Sequence, residues 1–165
     1  SCPGPLIAKA GIILKTPNLT LLQNCNLKDE MENRLNSPCL IENDANLFAL
    51  GEYKSYNNSK DVFVGITLGT GLGFGLIIND ELFTGGNNMA TEYGISPINN
   101  SNWDNIISIQ GVKNKINQYL KKPVNPEILS MLAYKNDKIA LKIWSEFGSD
   151  LGACLSHIIN FVDPN

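Results

Sequence analysis

Eighteen consecutive residues, 62–79, carry no charged side chain, and five of them are glycine. Four of those glycines alternate from Gly69 to Gly75 in the middle of the segment. The flanks are β-branched and aromatic: Val62, Phe63, Val64, Ile66 and Thr67 before, Phe74, Ile77 and Ile78 after. A helix crossing a bilayer needs about 20 continuous apolar residues without a glycine cluster at its centre. A strand, a glycine loop and a second strand account for the pattern instead. Any fold for this chain must therefore hold two apolar strands joined by a loop in which side chains are nearly absent.

The rest of the chain supplies helices for that sheet. Cys2-Pro3-Gly4-Pro5 is a turn, residues 10–15 read as a short strand, and Thr16-Pro17-Asn18 breaks it. Leu27, Met31 and Leu35 share one face, which predicts a helix over 27–35. Residues 39–41 read as a short apolar strand. Residues 43–54 read as a helix capped by Asn43 or Asp44, with Leu47, Ala49 and Leu50 inward. Asn57-Asn58-Ser59 is a loop and Asn79-Asp80 a turn. Residues 95–104, rich in Asn and Ser, read as a loop. Helices follow over 109–120, 126–134 and 137–161, the last with a stripe of Ile139, Ile143, Phe147, Leu151, Leu155 and Ile158. Lys121-Lys122 suits the negative end of a helix dipole. The order of elements is that of an α/β or α+β protein.

Composition narrows the function. An apolar fraction of 43% over 165 residues supports a packed core and excludes wholesale disorder. A net charge of -3 with dispersed lysines excludes a basic nucleic-acid module and a polybasic membrane surface. Cys2, Cys25, Cys39 and Cys154 form no Cys-x-x-Cys pair, so a zinc ribbon and a thioredoxin motif are excluded, and reduced thiols of a cytoplasmic protein are expected. No basic stretch followed by an apolar one opens the chain, so no signal peptide is read.

Leu68-Gly69-Thr70-Gly71-Leu72-Gly73-Phe74-Gly75 carries the first chemical signal. Alternating glycines let backbone N–H groups face one concavity and let a bulky anion approach. A P-loop would require Gly-Lys-Ser/Thr, and no lysine is present. A dinucleotide fingerprint would require a helix next, whereas Leu76-Ile77-Ile78-Asn79-Asp80 is a strand entering a turn. Two readings stay open: a phosphate-binding turn between antiparallel strands, as in the actin and hexokinase superfamily, and a glycine-rich hairpin without a ligand. The second signal is Glu42-Asn43-Asp44-Ala45-Asn46, where a strand end meets a helix start. Asp44 there is either a general base toward a hydroxyl, with Asn43 binding the same substrate, or one of a pair of helix caps.

Taken in order, the motifs resemble the ROK family of repressors and sugar kinases. They are Pro3-Gly4-Pro5, Pro17-Asn18-Leu19, Glu42-Asn43-Asp44-Ala45-Asn46, Gly69-Thr70-Gly71-Leu72-Gly73, Gly86-Asn87 and Ala90-Thr91-Glu92-Tyr93-Gly94-Ile95. The resemblance implies an α/β chain of the actin-like, ribonuclease H-like ATPase fold of sugar kinases. It implies that residues 1–43 end a first lobe and residues 44–165 form much of a second. Asp44 takes the place of the family's catalytic base, while Asn43, Glu92, Gly4 and Asp104 fall to the sugar. Gly69, Thr70, Gly71 and Gly73 fall to the phosphates of ATP, with Mg²⁺ screening their charge. The expected partner is a small sugar, and the resemblance allows a homodimer.

Three departures qualify it. Ile95 stands where the family has a zinc-ligand His, and residues 96–103 hold no Cys, so no structural zinc is expected and Trp103 is expected to order the loop. Asp104 stands where a second sugar-binding Glu is found, one methylene shorter. Thr91 replaces a glycine and is expected to crowd the sugar pocket. The chain opens with Ser1, its first Met is Met31, and it carries neither the family's early Asp-x-Gly-x-Thr loop nor its late Gly-Gly segment. It therefore reads as a central excerpt, not expected to phosphorylate a sugar alone. His157, Trp103 and Trp144 are read as structural. The leading reading is an ATP-dependent kinase of a hexose or N-acetylhexosamine. The alternatives are the sugar-sensing part of a repressor, marked by a preceding helix-turn-helix, and a zinc-less pseudokinase.

Overall fold

The computed structural model describes residues 1–14, 19–56, 61–120 and 124–165. Residues 15–18, with Pro17-Asn18 of the Pro-Asn-Leu motif and the break at Thr16, lie outside them, as do Asn57-Asn58-Ser59 and Lys121-Lys122. The chain divides into two compact units. One comprises residues 1–66, 74–92 and 165, and the other residues 67–73 and 93–164.

The first unit begins with the antiparallel pair β1 (Leu6–Ile7) and β2 (Ile12–Ile13), in register Leu6↔Ile13. A turn of 3-10 helix, Ala8–Ala10, joins them and ends on Gly11 at φ 69°. The strand expected over 10–15 is thus only Ile12–Ile13, because its first residue is spent in that turn. Helix α1 (Leu27–Leu35) begins where Asn26 accepts the Asp29 N–H at 3.2 Å and ends at Asn36 in the left-handed region. Cys2, Leu6 and Ile13 form the local core, with Leu27 and Ile41 against it. Residues 39–41 form no strand: Leu40 is 94% exposed, and pairing is limited to a single parallel bridge between Cys2 and Asn43.

Helix α2 (Asp44–Ser55) buries Ala45, Asn46, Ala49 and Tyr53, whereas Leu47 and Leu50 are half-buried. Small residues line its inner side because the sheet comes very close. A Cβ on Gly65 would lie 2.5 Å from Ala49 Cβ, and one on Gly75 would lie 2.5 Å from the same atom and 2.9 Å from Ala45 O. The sheet has the order β3-β4-β5, from β3 (Val62–Leu68), β4 (Leu72–Ile78) and β5 (Glu81–Leu82). Asn79 and Asp80 turn β4 into β5 with φ 51° and 69°. Two of the five glycines therefore serve helix–sheet approach and not the loop. Gly75→Ala is expected to cost about 1–3 kcal/mol by overpacking, read as a lower urea midpoint with unchanged m-value.

In the second unit, residues 95–104 are more ordered than their composition suggested. A 3-10 turn, Glu92–Ile95, leads to the hairpin β6 (Pro97–Ile98) and β7 (Ser101–Asn102), and α3 (Trp103–Ile107) starts at once. Asn99, at φ 50°, supplies the left-handed turn residue, and Asn102 caps α3 by accepting the Asn105 N–H at 2.8 Å. The Asn-rich composition marked turn and cap positions rather than a loop. Helix α4 (Ile109–Tyr119) is capped by Ser108, α5 (Pro126–Tyr134) by Asn125 with Pro126 in its first turn, and α6 (Lys138–Val162) by Asp137. Val112, Ile116, Leu129, Ala140 and Ile143 form their shared core. The buried line of α6 is Ala140, Ile143 and Cys154, and Ile139 of the expected stripe is 41% exposed. All four cysteines are free thiols. Among the described residues no helix is long and apolar enough to cross a membrane.

Candidate active site

In the first unit the site is built on the start of α2. Asn43 Oδ1 accepts the N–H groups of Ala45 at 2.8 Å and Asn46 at 3.1 Å. Capping therefore fixes which way the amide faces, and the Nδ2 donor is left over. It faces Gly4: a Cβ there would stand 2.9 Å from Asn43 Nδ2 and 2.9 Å from Glu92 Oε1. Gly4 is held in place because Cys2 N–H donates to the Glu42 carbonyl at 3.0 Å. A side chain at position 4 would collide with both the amide and the carboxylate. One atom of Asn43 therefore caps the helix, as the cap reading has it, and the other faces Gly4.

Asp44, the first residue of α2, is exposed, and its Oδ1 accepts the Ala45 N–H at 3.0 Å. Glu92 is half-buried, and its pKa is raised, first by desolvation and second by the negative charge of Asp44. Gly4, Asn43, Asp44 and Glu92 thus form one cluster: a free amide donor, two carboxylates and a bare backbone between them.

Behind this cluster lies a chain of polar contacts to which sequence reasoning gave no role. Glu42 Oε1 accepts Asn43 N–H at 2.8 Å and Asn46 Nδ2 at 3.0 Å. Asn46, only 5% exposed, presents its Oδ1 to the Thr91 hydroxyl at 3.3 Å. Thr91 shares that proton with the Ala90 carbonyl. It stands at φ 71°, where a β-branched residue is rare and glycine is at ease. Its hydroxyl ties the turn that carries Glu92 to α2. The available signal was the place of Glu42 just before the cap Asn43, from which its carboxylate reaches over the first turn of α2 to Asn46.

The second unit holds the glycine loop. Gly69 N–H donates to Gly71 O at 3.0 Å, and Gly69 O accepts the Ile109 N–H at 2.9 Å. Leu72 N–H donates to Asp104 Oδ1 at 2.5 Å. Among the described residues, the N–H groups of Thr70 and Gly71 have no acceptor. Thr70 is exposed, and a Cβ on Gly69 would meet nothing within 4 Å. Two adjacent amide donors on an open turn can take one anionic oxygen each. Gly73 lies within β4, two positions beyond those free amides.

The turn before α3 is secured by aromatic packing. Trp103 is 3% exposed and meets the His157 ring edge-on at 5.7 Å. The other face of that contact is a hydrogen bond between Tyr93 Oη and His157 Nδ1 at 2.8 Å. Trp144 packs edge-on against Phe147 at 5.7 Å. Ile95 and residues 96–103 offer neither thiolate nor imidazole, so they do not fit a zinc site. Among the described residues no group of three or more His, Cys, Asp or Glu side chains converges.

Comparison with known proteins bears on family and fold. The ROK family model matches residues 1–165. The xylose repressor of Bacillus subtilis (strain 168) is 31% identical over 175 residues, covering 99% of this chain and 45% of the repressor. The glucokinase of Thermotoga maritima is 37% identical over 93 residues, covering 56% of this chain and 29% of the enzyme. The crystal structure of a ROK family glucokinase from Streptomyces griseus, in complex with glucose and AMPPNP, superposes with a TM-score of 0.80 at 27% identity, over 94% of this chain and 59% of that one. The chain spans 45% of the repressor it matches over nearly its whole length, about half of such a relative. It belongs to the ROK family and has the actin-like ATPase fold of that family's sugar kinases.

Proposed function

We propose that the protein to which this chain belongs transfers the γ-phosphoryl group of ATP to a hydroxyl of a hexose or N-acetylhexosamine. The observation that carries this is the cluster of Gly4, Asn43, Asp44 and Glu92 around the start of α2. Asn43 Nδ2 donates to a sugar oxygen and Glu92 accepts from a sugar hydroxyl. Asp44 takes the proton of the attacking hydroxyl as its oxygen bonds to phosphorus and the bond to the ADP oxygen breaks. Gly69, Thr70, Gly71 and Gly73 supply the phosphate turn, with the free Thr70 and Gly71 amides as donors. Mg²⁺ arrives on the nucleotide phosphates and lowers their repulsion toward the incoming oxygen. The glucokinase likeness supports the reading. We place the protein in the cytoplasm, where ATP is supplied.

A second reading has its own support: the xylose repressor is similar along nearly the whole chain. In it the same cluster binds a sugar without turning it over. The deciding experiment is ADP release by the full-length protein across a panel of hexoses, pentoses and N-acetylhexosamines, with sugar binding followed by calorimetry. Turnover of one sugar supports the kinase. Saturable binding without turnover moves the assignment to the sensor, and no binding at all sinks both.

A further inference from the structure

We infer that Asp104 is a positioning residue of the phosphate turn, holding Thr70 and Gly71 in place for a nucleotide phosphate, and not a sugar ligand. The inference rests on the kinase reading for its ligand and on the geometry of the second unit for its substance.

The turn is suspended between two fixed points on the α3–α4 corner. At one end the Ile109 N–H, the first of α4, donates to Gly69 O at 2.9 Å. At the other, Asp104 Oδ1 accepts the Leu72 N–H at 2.5 Å. Between them lie the two amides without an acceptor among the described residues. Leu72 is also confined from behind, since a Cβ on Gly94 would lie 2.4 Å from Leu72 O. Gly71 passes so close to the tether that a Cβ there would stand 2.9 Å from Asp104 Oδ1.

Asp104 is itself well anchored. It lies in the first turn of α3, whose cap is Asn102, and its neighbour Trp103 is buried against His157. A carboxylate is an odd choice beside a loop meant for anions, because its charge repels the ligand. Its use is intelligible as a strong acceptor: a hydrogen bond to a charged group is about twice as strong as a neutral one. The tether consumes the Leu72 amide and so decides which amides remain for phosphate.

The test separates tether from ligand in the full-length protein. Asp104→Ala removes the acceptor, and Asp104→Asn keeps an acceptor oxygen without the charge. Losing a charged hydrogen bond is worth about tenfold or more in an equilibrium. We expect Asp104→Ala to raise the KM for ATP about tenfold while the KM for sugar stays within about twofold, and Asp104→Asn, which keeps a weaker neutral acceptor, to recover part of that loss. Hydrogen exchange at Leu72, which needs no turnover, should quicken about tenfold in Asp104→Ala. Should Asp104→Ala fail to fold, Gly71→Ala pushes on the same carboxylate from the other side and should raise the KM for ATP likewise. A raised sugar KM with unchanged ATP KM and unchanged Leu72 exchange overturns the inference. ATP binding indifferent to Asp104→Ala sinks the positioning role alone. Wild-type protein that binds no ATP sinks the kinase reading and the role together, whatever Leu72 exchange shows.

Discussion

Asp44→Asn is expected to lower turnover by about 10²–10⁴-fold and to leave sugar affinity within a few-fold. The expectation follows from how little else Asp44 does. The helix cap is Asn43, whose Oδ1 accepts two backbone amides. Asp44 is exposed, and its only bond among the described residues is from Oδ1 to its neighbour's N–H, a contact an amide oxygen can also make. The substitution should therefore change stability by no more than about 0.5 kcal/mol, as for other exposed positions. What is lost is a group able to take a proton, since an amide cannot serve as a base near neutral pH. The measurement is kcat and sugar KM in a coupled ADP-release assay, with a thermal melt beside it. A fall in kcat with an unchanged melt places Asp44 in the chemistry. A variant that retains turnover shows that the base lies elsewhere. A variant that melts early reduces Asp44 to part of the helix start.

The contrast between Asp44 and its neighbours explains what the sequence revealed and what it hid. Helix α1 was legible to the residue because Leu27, Met31 and Leu35 share one face, and α5 spans the expected residues with Pro126 in its first turn. The helix start at Asn43 was legible because Asn43 and Asp44 are both cap residues where a strand end meets a helix. The glycine loop was legible as a hairpin, because β-branched flanks and alternating glycines leave few alternatives. The separate task of Gly65 and Gly75 was not, because close approach to Ala49 depends on which helix lies over which strand. Residues 95–104 were misread for a related cause. A hairpin of two-residue strands shows no period, and its Asn residues announce turns without saying what they connect. Asp104 makes the clearest case of a contact hidden in the sequence. Its chain position pointed to the sugar by resemblance, while its bond to Leu72 bridges 32 residues that no local pattern links. Thr91 likewise looked like a crowding substitution, whereas its hydroxyl reaches a buried amide 45 residues away.

Glu92 offers a prediction in which stability and binding move in opposite directions with pH. Its pKa is raised, mainly by desolvation and in part by Asp44. A carboxyl raised in the folded state holds its proton more tightly there than in the unfolded chain. Its contribution to stability is therefore present at low pH and is lost as pH rises through the folded pKa. Sugar binding runs the other way, because only the ionised carboxylate accepts freely from hydroxyls. Affinity for the sugar should fall as pH drops through a value above the ordinary range for Glu. Glu92→Gln should bind the sugar about 10–100-fold more weakly at neutral pH, as expected for a lost charged acceptor, and should show no such acid limb. Asp44→Asn supplies the control, since removing that charge takes away one of the two causes of the shift. Its acid limb should move to lower pH while its affinity at neutral pH is kept. Calorimetry of sugar binding by the three proteins across pH 4–8 reads all of this directly. An acid limb that stays in place in Asp44→Asn would separate the two carboxylates and dissolve the cluster on which the site rests. An acid limb that survives in Glu92→Gln would assign the titration to another group.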